Sequence, residues 1–352
     1  MTSPFIRLSA FVACLLTIGA AASGRAQAPR AAGVVEVFEL RSRALEGNLV
    51  GDSPVRDVSV YLPPSYGTDA ARRYPVVYLL HGFTDTDAKW FGRAGEHWIN
   101  LPQVLDGAAA RADVAETIVV MPNGFNAFGG SFYSTSVTIG DWESFVADEL
   151  VAAIDSRYRT LAARASRGLA GHSMGGYGAI RLGLARPDVF STVYAMSACC
   201  LTPVQAPATA SRPSPAESIA TLAQAAAAPF GVKAALALSA AWAPNPNRPP
   251  LYLDLPTESG RARPEVLARF AANAPVALVP QRVFALRRLT ALAFDVGTRD
   301  GLQRESAALD RALTHHGIPH VYQTYDGDHL DGVAGRIETV VMPFFARHLD
   351  VQ

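Results

Sequence analysis

The chain has 352 residues, 49% of them hydrophobic, and its 31 basic residues balance its 31 acidic residues. This length can form one large α/β domain or two small ones. The zero net charge and the lack of a basic run give no electrostatic basis for nucleic-acid binding. Beyond the N-terminus, no apolar stretch approaches the roughly 20 residues that span a bilayer.

The N-terminal segment has the pattern of a secretory signal peptide. Arg7 supplies the positive charge, residues 8–22 are mostly apolar, and an A-x-A pattern ends at Ala28. We therefore predict that residues 1–28 are a signal peptide, and that the mature protein, 29–352, is a secreted or periplasmic single domain without a membrane span. The alternative interpretation of this segment is a membrane anchor.

Short apolar runs alternate with helical patterns along most of the chain. "YPVVYLLHG" and "ETIVVMPNG" are continuous apolar runs that end in loops, as buried parallel strands do. In "DWESFVADELVAAIDSRY", apolar residues recur at helical spacing behind Asp141, a helix-capping residue type. Further strands are predicted at 34–40, around 55–60, in "ASRGLAGHS", and at 190–196, 292–296 and 321–325, and further helices at 97–110, in "MGGYGAIRLGLARP", and at 302–315 and 333–348. This alternation predicts an α/β fold, with a mostly parallel sheet covered by helices on both faces.

The segment 201–280 interrupts the alternation. It contains "LTPVQAPATASRPSPAES" and "WAPNPNRPPLYLDLPTESG", which are both rich in proline. A long irregular segment inside a compact domain is usually functional or disordered. We expect an insertion that forms a cap or a pocket wall, and the alternative is a surface elaboration that does not contact the substrate.

The stretch "GHSMGG" contains a serine flanked by glycines at the spacing G-x-S-x-G. This spacing is typical of a nucleophile elbow, where a strand turns sharply into a helix and exposes the serine. Glycine at 171 and 175 removes side chains that would collide where the strand and the helix cross. A strand is predicted before Ser173 and a helix after it, so Ser173 is the candidate nucleophile.

A serine nucleophile needs a base, and the base needs an orienting carboxylate. In α/β-hydrolases these residues follow in the order serine, acid, histidine, each in a loop after a strand. His329, in "TYDGDHLDG", is the one histidine of eight that fits this position. His172 is set aside because it points to the opposite side of the strand from the serine. The other six histidines precede the serine, lie in helices or start a strand: His81, His97, His315, His316, His320 and His348.

The candidate acid is Asp300, in the loop that follows the strand "LTALAFDVG". Asp295 lies within that strand and is the second candidate, with a buried structural role as its other interpretation. Asp326 and Asp328 are nearer to His329 in sequence but lie on its own loop.

Two backbone N–H groups are candidates for an oxyanion hole, which stabilises the negative charge of a tetrahedral intermediate. Met174 follows the nucleophile at a helix N-terminus, where the helix dipole also favours negative charge. Phe83 follows "HG" in the loop after the "VVYLL" strand. The alternative for "HGF" is that it only ends a strand.

Five stretches of the sequence carry a family resemblance: "YPVVYLLHGF", "MPNG" with "SFYS", "DWESFVADELVAAIDSRY", "GHSMGGYGA" and "GTRDG". They resemble the esterase D superfamily of α/β-hydrolases, which includes S-formylglutathione hydrolases, feruloyl esterases and mycolyltransferases. The resemblance covers most of 55–190 and 292–352 but not 201–280. It implies Ser173, Asp300 and His329 as the triad, with the N–H groups of Phe83 and Met174 as the oxyanion hole. Mycolyltransferases carry a glutamate as the acid, so the aspartate at 300 favours an esterase. S-formylglutathione hydrolases are typically cytosolic, so the predicted signal peptide favours a secreted enzyme instead.

These residues predict a secreted serine carboxylic-ester hydrolase that works through an acyl-enzyme and acts on a small-molecule or polysaccharide-linked ester. No metal or organic cofactor is expected, because the sequence has no zinc-binding pattern. The alternatives are an acyltransferase of the mycolyltransferase type, an esterase specific for feruloyl or aryl groups, and a non-catalytic binding protein. Candidates for the substrate pocket are three aromatic residues: Trp90, Phe132 and Trp242. The oligomeric state is left open.

Overall fold

The computed structural model describes residues 1–2, 32–204 and 212–352. The chain divides into two units, Met1–Ala31 and Ala32–Gln352, and all the elements below belong to the second. The predicted signal peptide lies outside the described residues, except for its first two positions. Within the described residues, no helix has the length and apolar character needed to cross a membrane.

An eight-stranded sheet forms the centre of the second unit. Its strands are β1 (Val34–Arg41), β2 (Val55–Leu62), β3 (Val76–Leu80), β4 (Ile118–Pro122), β5 (Arg167–His172), β6 (Thr192–Met196), β7 (Ala291–Gly297) and β8 (Val321–Tyr325). Their order is β1-β2-β4-β3-β5-β6-β7-β8. The β1–β2 and β2–β4 pairs are antiparallel and all other neighbours are parallel. The predicted α/β fold with a mostly parallel sheet is therefore confirmed.

Helices follow most of the strands. They are α1 (Asp87–Trp90), α2 (Leu101–Ala109), α3 (Trp142–Ser144, a π-helical segment Phe145–Leu150, and Val151–Arg157), α4 (Met174–Ala185), α5 (Leu222–Ala227), α6 (Phe230–Trp242), α7 (Pro264–Ala271), α8 (Pro275–Leu278), α9 (Val283–Leu286), α10 (Gln303–His315) and α11 (Val333–Arg336, a π-helical segment Ile337–Val341, and Met342–His348). Short 3₁₀ turns lie at Pro64–Gly67, Arg164–Ser166, Pro215–Ser218 and Val279–Gln281, and two small ribbons pair Thr135–Ser136 with Gly140–Asp141 and Thr257–Glu258 with Arg261–Ala262.

The sheet separates two apolar cores. Tyr78 and Leu80 of β3 belong to one core, whereas Val77 and Leu79 belong to the other, because successive side chains of a strand point to opposite faces. Buried side chains of α3 and α4 pack in the first core, and those of α2 and α11 in the second. Since both faces are covered, every residue of β3 is buried. This is why its sequence is a continuous apolar run rather than an alternating one.

Some element boundaries differ from the sequence predictions. The helix predicted from residue 97 begins at Leu101, because the Asn100 side chain accepts a hydrogen bond from the Gln103 N–H and caps the helix there. The helices α3 and α11 each contain a π-helical segment that apolar spacing did not predict.

The described residues of the insertion 201–280 contain more helix than its proline content suggested. Its described residues form α5 to α8, and α6 buries Leu236, Ala240 and Trp242 in the first core. These described residues therefore pack with the rest of the second unit.

The crossing of β5 and α4 depends on glycine. A Cβ atom on Gly175 would lie 1.9 Å from the Leu80 carbonyl oxygen, and one on Gly171 would lie 2.0 Å from the Gly175 carbonyl oxygen. Backbone atoms cannot move aside as a flexible side chain can. Glycine at 175 therefore lets α4 pack against the end of β3, and glycine at 171 lets β5 pass close to the first turn of α4.

We predict that Gly175→Ala destabilises the protein by about 2 kcal/mol or more, because the added methyl group overlaps the Leu80 peptide. Gly231→Ala is the matched control, since Gly231 lies in α6 and, apart from its chain neighbours and the backbone of its own helix, no described atom is within 4 Å of its Cβ position. The control should keep or slightly raise stability. Urea unfolding of both variants measures this difference, and equal stabilities would contradict the steric explanation.

Candidate active site

Ser173 lies at the turn between β5 and α4. Its backbone has φ 56° and ψ −115°, a conformation that non-glycine residues rarely adopt. Its N–H donates to the Met196 carbonyl at 3.0 Å, and its own carbonyl accepts from the N–H groups of Tyr177 at 3.0 Å and Cys199 at 3.3 Å. These backbone hydrogen bonds hold the serine in the strained turn that the G-x-S-x-G spacing predicts.

Three side chains form one hydrogen-bonded chain. The Ser173 Oγ lies 2.9 Å from His329 Nε2, and His329 Nδ1 lies 2.9 Å from Asp300 Oδ2. Asp300 follows β7 and His329 follows β8, so the carboxyl ends of neighbouring parallel strands bring them together. Since a carboxylate only accepts, His329 Nδ1 carries a proton and Nε2 is free to accept from the serine hydroxyl.

The environment of Asp300 favours its ionised form. Burial raises the pKa of this carboxyl, but the hydrogen bonds from His329 and from the Leu302 N–H, the latter at 2.9 Å, outweigh burial and hold the pKa below its ordinary value. Asp300 is therefore ionised at neutral pH, as a carboxylate that orients an imidazole must be.

The other candidate carboxylates have different partners. Asp295 is buried within β7, where its Oδ2 accepts from Tyr194 Oη at 2.7 Å and from Arg336 Nε. Burial raises the pKa of Asp295 despite these partners. Asp326 pairs with Arg299, and Asp328 accepts from backbone N–H groups of its own loop. The structure thus brings Asp300, not Asp295, to His329.

The loop that carries Phe83 is held from two sides. The Gly124 N–H donates to His81 Nε2 at 2.8 Å, and Tyr133 Oη donates to the His81 carbonyl at 3.2 Å. Beyond Phe83, the Thr84 N–H donates to the Gly129 carbonyl at 2.9 Å. Phe83 and Ser173 border the same cavity, and Met174 is the first residue of α4. Both predicted oxyanion-hole residues therefore lie beside the serine.

A cavity of about 500 Å³ opens above Ser173. This volume is within the usual range for small-molecule sites. Aromatic side chains of Phe83, Trp98 and Phe230 border it, together with the Asp300 and His329 side chains. Of the described residues of the insertion, only Phe230 borders this cavity, at the start of α6 and 66% exposed.

The structure places the three aromatic pocket candidates away from the lining of this cavity. Trp90, Phe132 and Trp242 are all buried, and none of them borders the cavity. Trp90 donates its indole N–H to Asp85, and Trp242 packs against Phe132 and donates to Ser134 Oγ at 3.3 Å. In this structure the three rings pack in the interior. Sequence reasoning could not distinguish them from Trp98 and Phe230, because aromatic character alone does not indicate which face of the core a ring occupies.

Sequence reasoning also missed His172 and His97, which both border the cavity. His172 packs its ring 4.8 Å from that of His329 and lies 2.8 Å from the His329 carbonyl oxygen. His97 Nε2 lies 3.0 Å from Asp85 Oδ1. The sequence interpretation considered His172 only as a possible base, and it did not anticipate that this ring contacts the main chain of His329.

No group of three or more His, Cys, Asp or Glu side chains in the described parts of the chain could hold a metal ion. The adjacent thiols of Cys199 and Cys200 are free.

Comparison with known proteins supports an esterase relationship. Residues 54–331 match the family model Esterase, described as "Putative esterase". A protein of Xylanibacter ruminicola named endo-1,4-beta-xylanase/feruloyl esterase is 34% identical over 39% of this chain and 18% of its own length. An esterase of Mycobacterium tuberculosis is 37% identical over 35% of this chain and 25% of its own length. The chain thus matches no more than a quarter of either relative.

Two solved structures show the same fold. A ferulic acid esterase superposes with a TM-score of 0.63 at 24% identity, over 90% of this chain and 99% of its own. The S-formylglutathione hydrolase of Staphylococcus aureus gives a TM-score of 0.57 at 14% identity, over 90% and 99% of the two chains. At these identities the likeness establishes the α/β-hydrolase fold. Because the family model spans most of the chain, this protein belongs to the Esterase family.

Proposed function

We propose that this protein is a serine carboxylic-ester hydrolase in which Ser173, His329 and Asp300 form the catalytic triad. The observation that carries the proposal is the continuous hydrogen-bonded chain from Ser173 Oγ to Asp300, which ends at a cavity large enough for a substrate. Membership of the Esterase family supports the same reaction class.

In the first half of the reaction, Ser173 Oγ attacks the ester carbonyl carbon while His329 Nε2 accepts the hydroxyl proton. Asp300 holds the imidazole in the required tautomer and stabilises the imidazolium that forms. The tetrahedral intermediate carries its negative charge on the former carbonyl oxygen, where the N–H groups of Phe83 and Met174 stabilise it. The imidazolium then gives its proton to the leaving alcohol, and the acyl group remains on Ser173.

In the second half, a water molecule attacks the acyl-enzyme, and His329 Nε2 accepts a proton from that water. Collapse of the second tetrahedral intermediate releases the carboxylic acid and returns the proton to Ser173. The cavity borders both Ser173 and His329, so water that enters it after the alcohol has left can reach the acyl-enzyme.

We predict that Ser173→Ala lowers ester turnover by about 10⁴-fold or more, because no other group in the site can take the nucleophile's place. The change removes one oxygen atom at a turn held by backbone bonds, so the thermal unfolding midpoint should stay near that of the wild type. Ser156→Ala, at an exposed position on α3, is the matched control and should keep full turnover. If Ser173→Ala retained a tenth of wild-type turnover, the nucleophile would have to be sought elsewhere.

We predict that Asp300→Asn and Asp295→Asn have opposite profiles. Asp300→Asn should lower kcat by about 10³- to 10⁴-fold, since the amide cannot hold the required imidazole tautomer. Asp295→Asn should mainly lower the free energy of unfolding, because it weakens the buried contact with Arg336. Steady-state kinetics and urea unfolding on both variants test this assignment, and a larger kcat loss in Asp295→Asn would reverse it.

We predict that Phe230 is the residue through which the insertion influences substrate choice. Phe230→Ala should lower kcat/KM about tenfold for esters with large or aryl groups, because burying a ring of this size contributes about 1.5–3 kcal/mol. Small esters, which do not reach the ring, should be affected much less. Phe284→Ala is the control, since Phe284 is equally apolar, 83% exposed and outside the cavity lining. An unchanged ranking of esters in Phe230→Ala would leave the insertion without a role in selectivity.

We propose that the enzyme acts outside the cytoplasm. The charge and apolar pattern of residues 1–28 supports this proposal. N-terminal sequencing of the protein recovered from a bacterial periplasm or medium should give a start within or just after residues 22–28. Full-length protein that keeps its original N-terminus in the cytosol would contradict export.

A further inference from the structure

His172 occupies a position that the proposed reaction does not use. It is the last residue of β5, directly before Ser173, and only 2% of its surface is exposed. Its ring packs against those of Trp98, at 5.3 Å, and His329, at 4.8 Å, measured between ring centroids. A buried polar ring among aromatic side chains is costly unless its hydrogen-bonding groups are used.

One ring nitrogen of His172 has a defined partner. Nε2 lies 2.8 Å from the backbone carbonyl oxygen of His329. A carbonyl only accepts, so Nε2 must carry the proton and donate it. Nδ1 has no hydrogen-bond partner among the described residues. Burial, with the nearby His329 as a second cause, lowers the pKa of His172 to about 4. At neutral pH the ring is therefore uncharged and donates a single hydrogen bond.

This hydrogen bond reaches the backbone of the proposed general base. His329 lies in the loop between β8 and α11. Two acidic side chains of this loop are exposed, Asp326 by 88% and Asp331 by 68%. Ser173 and Asp300 hydrogen-bond to the side chain of His329, whereas His172 hydrogen-bonds to the main chain of His329. Because His172 and Ser173 are neighbours in sequence, the end of one buried strand places both the nucleophile and the backbone of the base.

We propose that His172 is a positioning residue that fixes the His329 loop relative to Ser173 through its Nε2–H. The proposal rests on the proposed function, in which His329 acts as the base. Displacement of a catalytic group by about 1 Å can cost about 100-fold in rate. Loss of this hydrogen bond should therefore reduce kcat, while substrate binding in the cavity changes little.

The test compares two substitutions with different hydrogen-bonding capacity. His172→Phe keeps an aromatic ring but cannot donate, and should lower kcat about 10- to 100-fold with KM changed less than about threefold. His172→Gln can place an amide N–H where Nε2 lies, and should restore kcat to within about fivefold of the wild type. His348→Phe is the control. It replaces a histidine on the terminal helix α11, packed against Phe344, and should leave kcat unchanged.

A second measurement does not depend on turnover. The proton shared between His329 Nδ1 and Asp300 should give a low-field imidazole resonance in the NMR spectrum of the wild type, of Ser173→Ala and of His172→Gln. In His172→Phe it should broaden or disappear. If the resonance is lost only in His172→Phe but the wild type hydrolyses no ester, the proposed function fails and the positioning role of His172 stands.

Two results would overturn the positioning role. One is a folded His172→Phe protein with wild-type kcat and an unchanged resonance. The other is a folded His172→Gln protein as impaired as His172→Phe, since this would show that ring packing rather than the donated hydrogen bond is what matters.

Discussion

The close approach of α4 to the ends of β5 and β3 is the constraint on which the site depends. With carbonyl oxygens about 2 Å from the places where Cβ atoms would lie, the chain can pass here only as glycine at 171 and 175. The tight crossing leaves Ser173 in a backbone conformation that serine rarely adopts, and three backbone hydrogen bonds hold it there. The strain is tolerated because both elements are buried between other parts of the core.

The parallel order of β5, β6, β7 and β8 determines the rest of the geometry. Carboxyl ends of parallel strands meet at one edge of the sheet, so loops distant in sequence become neighbours there. Asp300 follows β7 and His329 follows β8, which explains a hydrogen-bonded chain whose members are 127 residues (Ser173 to Asp300) and 29 residues (Asp300 to His329) apart in the sequence. Two carboxylates of the same strand and loop then differ in environment. Asp295, within β7, is paired with Arg336 of α11, whereas Asp300 contacts the His329 imidazole.

Local patterns predicted the strands, and the alternation of strands with helices predicted a mostly parallel sheet. The loops that carry Ser173, Asp300 and His329 followed from these predictions, because each loop comes directly after a predicted strand. Their catalytic roles stay predictions. The cavity wall was not predictable in the same way. Trp90 and Trp98 lie close together in the sequence, yet one is buried against Asp85 and the other borders the cavity. Phe230 reaches the cavity because it is the first residue of α6, and the packing of α6 in the core places the start of this helix at the cavity. The amino-acid composition of the insertion does not indicate this tertiary packing.

The central claim is that Ser173 is the nucleophile that His329 activates. The most direct measurement is mass spectrometry of the wild-type protein after reaction with a serine-reactive phosphonate, followed by proteolysis to locate the adduct. We predict a single adduct on Ser173, which forms far more slowly when His329 is replaced by glutamine. An adduct on another residue, or labelling of Ser173 at the same rate without His329, would contradict the claim.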